Sequence, residues 1–303
     1  MINRRAVLAG SVALTTFTMS GVGSIAMAAR PRRPDMTSRI AALETGQARL
    51  GVCLLDTATG ELSGHRLDER FAFCSTFKLP MVAACLREAD AGRLNLAEVL
   101  PYTKADLLEW APVTGPNVGK GGLPIIELAQ AAQQLSDGGA ANLLVRRLGG
   151  PAAVTAKFRE MGDPVTRLDR YEPMLGMVLS ADLRDTTSPR AMAELVARIT
   201  TGNLLSVASR DRLLQWMYDT KTGPKRLRAG LPAGWKVGNK TGTGRDAGIT
   251  NKCNDVAIAY PPGRAPIIIS AYYDAGEYTD QIEDRHQAVL AEVGRIAADW
   301  ALS

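Results

Sequence analysis

Three short segments carry side chains able to cleave an amide. In Phe73-Cys74-Ser75-Thr76-Phe77-Lys78 a serine precedes a lysine by three positions, a spacing that sets both on one helix face. A serine hydroxyl attacks poorly until a base takes its proton, and a partly desolvated lysine can be that base. The start of a helix also turns backbone N–H groups toward a developing oxyanion. Ser136-Asp137-Gly138 stands just ahead of the apolar stretch Ala140–Leu144, and Lys240-Thr241-Gly242-Thr243-Gly244 ends a strand-like run. Singly, each has a plainer explanation: a capping serine with a solvated lysine, a capped helix start, a strand-to-turn exit. Together they supply a nucleophile, amines, further hydroxyls for an anion, and glycines that admit a ligand to a strand edge.

Other chemistries are poorly supplied. The two histidines, His65 and His286, fall in a turn-and-strand region and on a terminal helix, which argues against a Ser-His-Asp triad. Cys53, Cys74, Cys85 and Cys253 show no C-x-x-C spacing, so neither a metal nor a cofactor is expected. The formal charge of +5 has its basic residues interleaved with acids, as in Arg87-Glu88-Ala89-Asp90, which excludes a nucleic-acid partner.

The elements that must position these groups are legible from periodicity. A short helix is expected within Thr37–Gln47, then a hairpin of Leu50–Leu55 and Glu61–Arg66. The long middle is helical, with apolar stripes over Met81–Ala91, Leu128–Gln134, Ala140–Leu148, Ala191–Ile199 and Ser209–Tyr218, and almost no strand signal. Strands return at Trp235–Thr241, Asp255–Tyr260 and Ile267–Tyr273, before an amphipathic helix over Thr279–Ala301. The expected fold is α/β in layers: an antiparallel five-stranded sheet built from both chain ends with flanking helices, plus an inserted all-helical subdomain. The sheet lobe would span about 37–70 and 227–303 and the helical lobe about 75–226, with the site in the cleft between them.

Met1–Arg5 is basic, Ala6–Ala26 apolar and small, and Ala26-Met27-Ala28 fits a cleavage site. Residues 1–28 are therefore expected to be a signal peptide and 29–303 the catalytic domain, exported to the periplasm or medium. Arg4-Arg5 leaves the Sec and twin-arginine routes both open. After cleavage no stable membrane association is expected, and a monomer suffices.

In this order and at these separations, the three triplets resemble those of class A β-lactamases and penicillin-binding proteins. Arg170-Tyr171-Glu172-Pro173, followed by Arg184-Asp185-Thr186-Thr187, resembles the class A omega loop, closed by a pair between Arg170 and Asp185. The resemblance runs from about Arg49 to the C-terminus. It implies hydrolysis of penicillins or cephalosporins through a serine acyl-enzyme, and antibiotic resistance. Ser75 would be the nucleophile, Lys78 and Glu172 would share the base role, and Ser136 would relay a proton to the lactam nitrogen. Glu172 would activate the deacylating water, and the backbone N–H groups of Ser75 and Thr243 would form the oxyanion hole. Lys240, Thr241, Thr243 and Arg226 would hold the substrate carboxylate, with Gly242 beside them and Trp110, Gly138 and Gly176 lining the cleft.

Two departures bear on turnover. Gly138 stands where the family's triplet carries an asparagine that holds the substrate amide, and Gly176 where it carries one that helps hold water. Losing a positioning group costs roughly 10- to 1000-fold in rate where geometry is strict. Some family members bridge the cysteine at position 74 to one at the place of Gly244; here only Cys253 could substitute, and buried free thiols are the default. The alternatives are a penicillin-binding sensor or acyl acceptor with little turnover, and a D-Ala-D-Ala peptidase. Glu172 is the feature that discriminates.

Overall fold

The computed structural model describes residues 34–179 and 181–303. The expected leader and its cleavage site lie outside them.

Helix α1 (Thr37–Ala41) precedes the hairpin β1 (Arg49–Asp56) and β2 (Leu62–His65). A two-residue strand β3 (Phe71–Ala72) and a 3-10 turn (Cys74–Phe77) lead into α2 (Lys78–Asp90). There follow β4 (Val99–Leu100), α3 (Thr114–Asn117), β5 (Leu123–Pro124), α4 (Ile125–Gln134), α5 (Gly138–Arg147) and α6 (Pro151–Glu160). Next come β6 (Thr186–Thr187), α7 (Pro189–Thr201), α8 (Val207–Tyr218) and α9 (Leu227–Gly230), and finally β7 (Lys236–Gly244), β8 (Lys252–Tyr260), β9 (Ile267–Asp274) and α10 (Asp284–Leu302).

The five long strands form one antiparallel sheet in the order β2-β1-β9-β8-β7, so both chain ends do build it. Period-two alternation divides its side chains between two cores. Leu50, Val52 and Leu54 with Ile267 and Ile269 face α9 and α10, where Trp300 is fully buried. Cys53, Leu55, Val256, Ile258 and Ile268 face the core that continues into α2, α4, α5, α7 and α8. Because both faces are covered, the strands read as nearly unbroken apolar runs.

Helix α2 is buried along almost its whole length, which makes it the axis around which the other helices pack. Side-chain caps start its neighbours: Asp137 accepts from Ala140 N at 2.9 Å at α5, and Ser188 accepts from Ala191 N at 3.2 Å at α7.

The structure departs from the sequence expectations in detail. The middle is not wholly free of strands: β3 pairs with β6, and β4 with β5. Helix α6 was not expected; only Val154 and Phe158 on it are buried, so its apolar stripe is thin. The last helix begins at Asp284 rather than Thr279, because Thr279 is held by Asn251, whose Nδ2 donates to the threonine hydroxyl at 2.6 Å. The first helix stops at Ala41.

Candidate active site

Ser75 sits in the 3-10 turn ahead of α2, not on the helix proper. Lys78 is the first residue of α2, so the serine-to-lysine spacing still brings the two side chains to one side. The turn is entered through Cys74, whose φ of 48° lies in the left-handed region, a strained choice for a non-glycine residue. Strand β7 runs hard against it: a Cβ on Gly242 would stand 2.6 Å from Phe73 O and 3.2 Å from Cys74 Cβ. Gly242 is thus required for β7 to lie beside the turn that carries Ser75, which brings Thr243 into the same cleft as Ser75.

The polar groups converge on Ser75. Its hydroxyl donates to Glu172 Oε1 at 3.1 Å, and Lys78 Nζ stands 2.8 Å from the same oxygen. Lys78 Nζ also donates to Ser136 O at 2.8 Å and to Ser136 Oγ at 3.4 Å. From the other side Lys240 Nζ donates to Ser136 Oγ at 3.0 Å and to Thr241 O at 2.9 Å. Both lysines are fully buried. Burial, reinforced by the charge of Lys78, drives the Lys240 amine well below the ordinary lysine value. Ser136 itself has φ of 59°, and Asp137 anchors it by accepting from Val113 N, Thr114 N and the Thr114 hydroxyl, each at 2.9 Å.

Glu172 is placed by the omega loop. Asp185 Oδ1 accepts from Asp169 N at 2.7 Å and Arg170 N at 3.0 Å, and Arg170 Nε donates to Asp185 Oδ2 at 2.5 Å, the pairing expected from the sequence. Asn142, one turn along α5 from Gly138, was not singled out in the sequence. It bonds both backbone groups of Glu172. An amide four residues beyond the triplet position Gly138, on the same helix, was the available signal.

One end of the cleft is built around Arg226. Its Nη1 donates to Gly242 O at 2.9 Å and Asn254 O at 2.8 Å, and its Nη2 to Thr243 Oγ1 at 2.8 Å. A threonine oxygen that accepts from a guanidinium has its own proton free to donate onward. Thr241 Oγ1 lies 2.7 Å from Thr222 Oγ1, a partner the sequence did not suggest.

These groups border one cleft of about 570 Å³, which Ser75, Ser136, Glu172, Arg226, Thr241 and Thr243 line together. Trp110 stands at its rim, 59% exposed, with its indole N–H donating to Leu135 O at 2.8 Å. Gly176 also lines it, and Asp246 Oδ2 lies 3.4 Å from where a Cβ on Gly176 would stand. All four cysteines are buried and free, Cys253 included. His65 lies 3.4 Å from Glu44 and His286 3.0 Å from Glu277; neither lines the cleft.

A profile of the β-lactamase enzyme family matches residues 35–301. A β-lactamase of Streptomyces fradiae is 42% identical over 98% of this chain and 96% of its own length. The β-lactamase L2 of Stenotrophomonas maltophilia is likewise 42% identical, over 96% and 94%. Among solved structures, the last common ancestor of Gram-negative class A β-lactamases superposes with a TM-score of 0.80 at 48% identity, covering 86% of this chain and 96% of that one. A putative class A β-lactamase of Rhodopseudomonas palustris gives 0.81 at 45%, covering 87% and 98%. Matches of this extent, on a chain whose serine, lysines and omega-loop glutamate meet in one cleft, mean that the chain belongs to the class A β-lactamases.

Proposed function

We propose that this class A β-lactamase opens the lactam amide of penicillins and cephalosporins through an acyl-enzyme on Ser75. What supports the reading is the hydrogen bond from Ser75 Oγ to Glu172 Oε1 at 3.1 Å, with Lys78 Nζ at 2.8 Å from the same oxygen. A base already in contact with the nucleophile takes its proton as the Oγ–carbon bond forms. The backbone N–H groups of Ser75 and Thr243 stabilise the carbonyl oxygen as it becomes an oxyanion.

When the carbon–nitrogen bond breaks, Ser136 delivers a proton to the nitrogen. Its oxygen accepts from Lys240 at 3.0 Å, which leaves its own hydrogen available, and Lys78 replaces it, recovering in turn the proton that Glu172 took from Ser75 and so returning Glu172 to the carboxylate. Glu172 then takes a proton from water as the water attacks the ester carbonyl, and Ser75 Oγ leaves with a proton. Lys240, Thr241, Thr243 and Arg226 hold the carboxylate, Arg226 acting through the Thr243 hydroxyl. Trp110 packs against the bicyclic ring, and Gly176, on the cleft wall, leaves room for its side chain.

Export by the leader 1–28 to the periplasm or medium, and function as a monomer, complete the proposal. Among the described residues no helix is long and apolar enough to cross a membrane.

The test follows absorbance and intact mass together on a chromogenic cephalosporin and a penicillin. Steady turnover abolished by Ser75→Ala, with an acyl adduct accumulating in Glu172→Ala, is expected. A single persistent stoichiometric adduct in the unmutated protein would favour the sensor or acyl-acceptor alternative.

A further inference from the structure

Gly138 carries no side chain, yet the space beside it is filled. A Cβ built on it would stand 2.7 Å from Leu108 Cδ1 and 2.8 Å from Glu172 Oε2, both closer than real Cβ contacts come. Nor does the backbone require glycine there, since Gly138 opens α5 and is not among the positive-φ residues. The other carboxylate oxygen, Oε1, is held by Ser75 Oγ and Lys78 Nζ. Oε2 is therefore the oxygen that enters the slot, and the leucine methyl enters it too, the two lying 2.8 and 2.7 Å from the same Cβ position. Leu108 is partly buried, lines the cleft, and comes from the loop that leads to Trp110.

We propose that Leu108 is a positioning residue for the Glu172 carboxylate, the two sharing the slot left open at Gly138. This rests on the reading of Glu172 as the base. A carboxylate pinned through one oxygen still swings about its last torsion, which is broad and roughly two-fold. An apolar wall that fills the slot confines the second oxygen, and the missing Cβ gives that oxygen its place. The glycine at 138 thus does more than remove a substrate contact: it lets the glutamate rest directly on the nucleophile.

Deacylation, which must align a water between the glutamate and the ester, is the step most exposed to a loosened carboxylate. Leu108→Ala should lower kcat by about 10-fold, with KM falling in parallel and an acyl adduct visible by intact mass during turnover. Leu108→Met should restore both. Gly138→Ala puts a methyl against Oε2, so kcat/KM itself, which reports acylation, should fall by about 100-fold. The Leu108→Ala/Gly138→Ala double variant should lose less than the two losses combined, because the carboxylate then yields into the vacated leucine space.

Thermal denaturation of each variant separates lost folding from lost positioning, and Leu108→Val replaces Leu108→Ala should the latter not fold. An unchanged kcat with no adduct in the folded Leu108 variant, or wild-type kcat/KM in Gly138→Ala, would overturn the proposal. Full turnover in Glu172→Gln would instead overturn the base reading beneath it, whatever the Leu108 variants show.

Discussion

Asn142 and Glu172 hold each other through both backbone groups of the glutamate: Asn142 Nδ2 donates to Glu172 O at 2.9 Å, and Glu172 N donates to Asn142 Oδ1 at 3.0 Å. One amide on a rigid helix thereby fixes the height of the omega loop above the nucleophile. Asn142→Ala removes both bonds and leaves two backbone groups short of partners, at a cost of about 2–4 kcal/mol. The expected result is a lower melting temperature together with a fall in kcat of at least about 10-fold, since Glu172, the proposed base, is displaced. Calorimetry and steady-state kinetics on one preparation check both; a stability loss with unchanged kcat would refute the positioning role.

Arg245 Nη2 reaches Glu109 Oε1 at 3.3 Å, and Arg245 Nη1 donates to Gln281 Oε1 at 3.1 Å. Arg245 follows β7 and Glu109 precedes Trp110, so the pair links opposite rims of the cleft. With Glu109 91% exposed, the pair contributes under about 1 kcal/mol to stability. Arg245→Ala should leave the melting temperature unchanged and raise kcat/KM a few-fold for cephalosporins with bulky side chains, but not for small penicillins. In about 1 M salt, where screening acts within about 3 Å, wild type and variant should converge.

Asp255 is fully buried on β8, opposite Thr241 of β7, and burial pushes its carboxyl up to about 6 against the opposing pull of Asn239, Arg226 and Arg228. The folded state therefore binds this proton more tightly than the unfolded chain. Its contribution to stability is present below the unfolded value near 4 and is lost as pH rises through about 6. Asp255→Asn keeps an acceptor for the Asn239 amide, which now donates to Asp255 Oδ1 at 2.9 Å. Melting temperature should rise relative to wild type above pH 6 and approach it near pH 4; a constant offset across that window would refute the assignment.

A Cβ on Gly244 would stand 3.3 Å from Cys74 Sγ, with Lys252 Cγ at 3.1 Å as the neighbour that must shift. That separation suits a disulfide, in which an S–S bond of about 2.04 Å sets each Cβ roughly 3 Å from the partner sulfur. Gly244→Cys should therefore oxidise in air without loss of fold, gaining about 2–4 kcal/mol in the oxidised form. Thiol titration before and after reduction tests it, and two persistently free thiols in the oxidised sample would count against this geometry. Cys253, opposite Thr243 on β8, remains a free thiol.

What the sequence determined by itself was what short-range chemistry encodes. Ser75 and Lys78 lie within one turn, the Lys-Thr-Gly run ends a strand, and the sheet strands announce themselves as apolar runs because both faces are buried. The Arg170–Asp185 closure was legible only through the resemblance to the class A omega loop, and the ion pair is present in the structure. Elements with weak local signal were not: β3 and β6 are two residues each, too short for any periodicity, and α6 buries only Val154 and Phe158. Tertiary structure alone decided who stands next to whom across lobes. That Leu108 fills the slot at Gly138, that Asp246 meets Gly176, and that Asn142 rather than a loop residue carries Glu172 are outcomes of packing between segments distant in the chain. No spacing rule reaches that far, because such contacts are selected by volume and hydrogen-bond satisfaction in the assembled core rather than by the turn of a helix or the pleat of a strand.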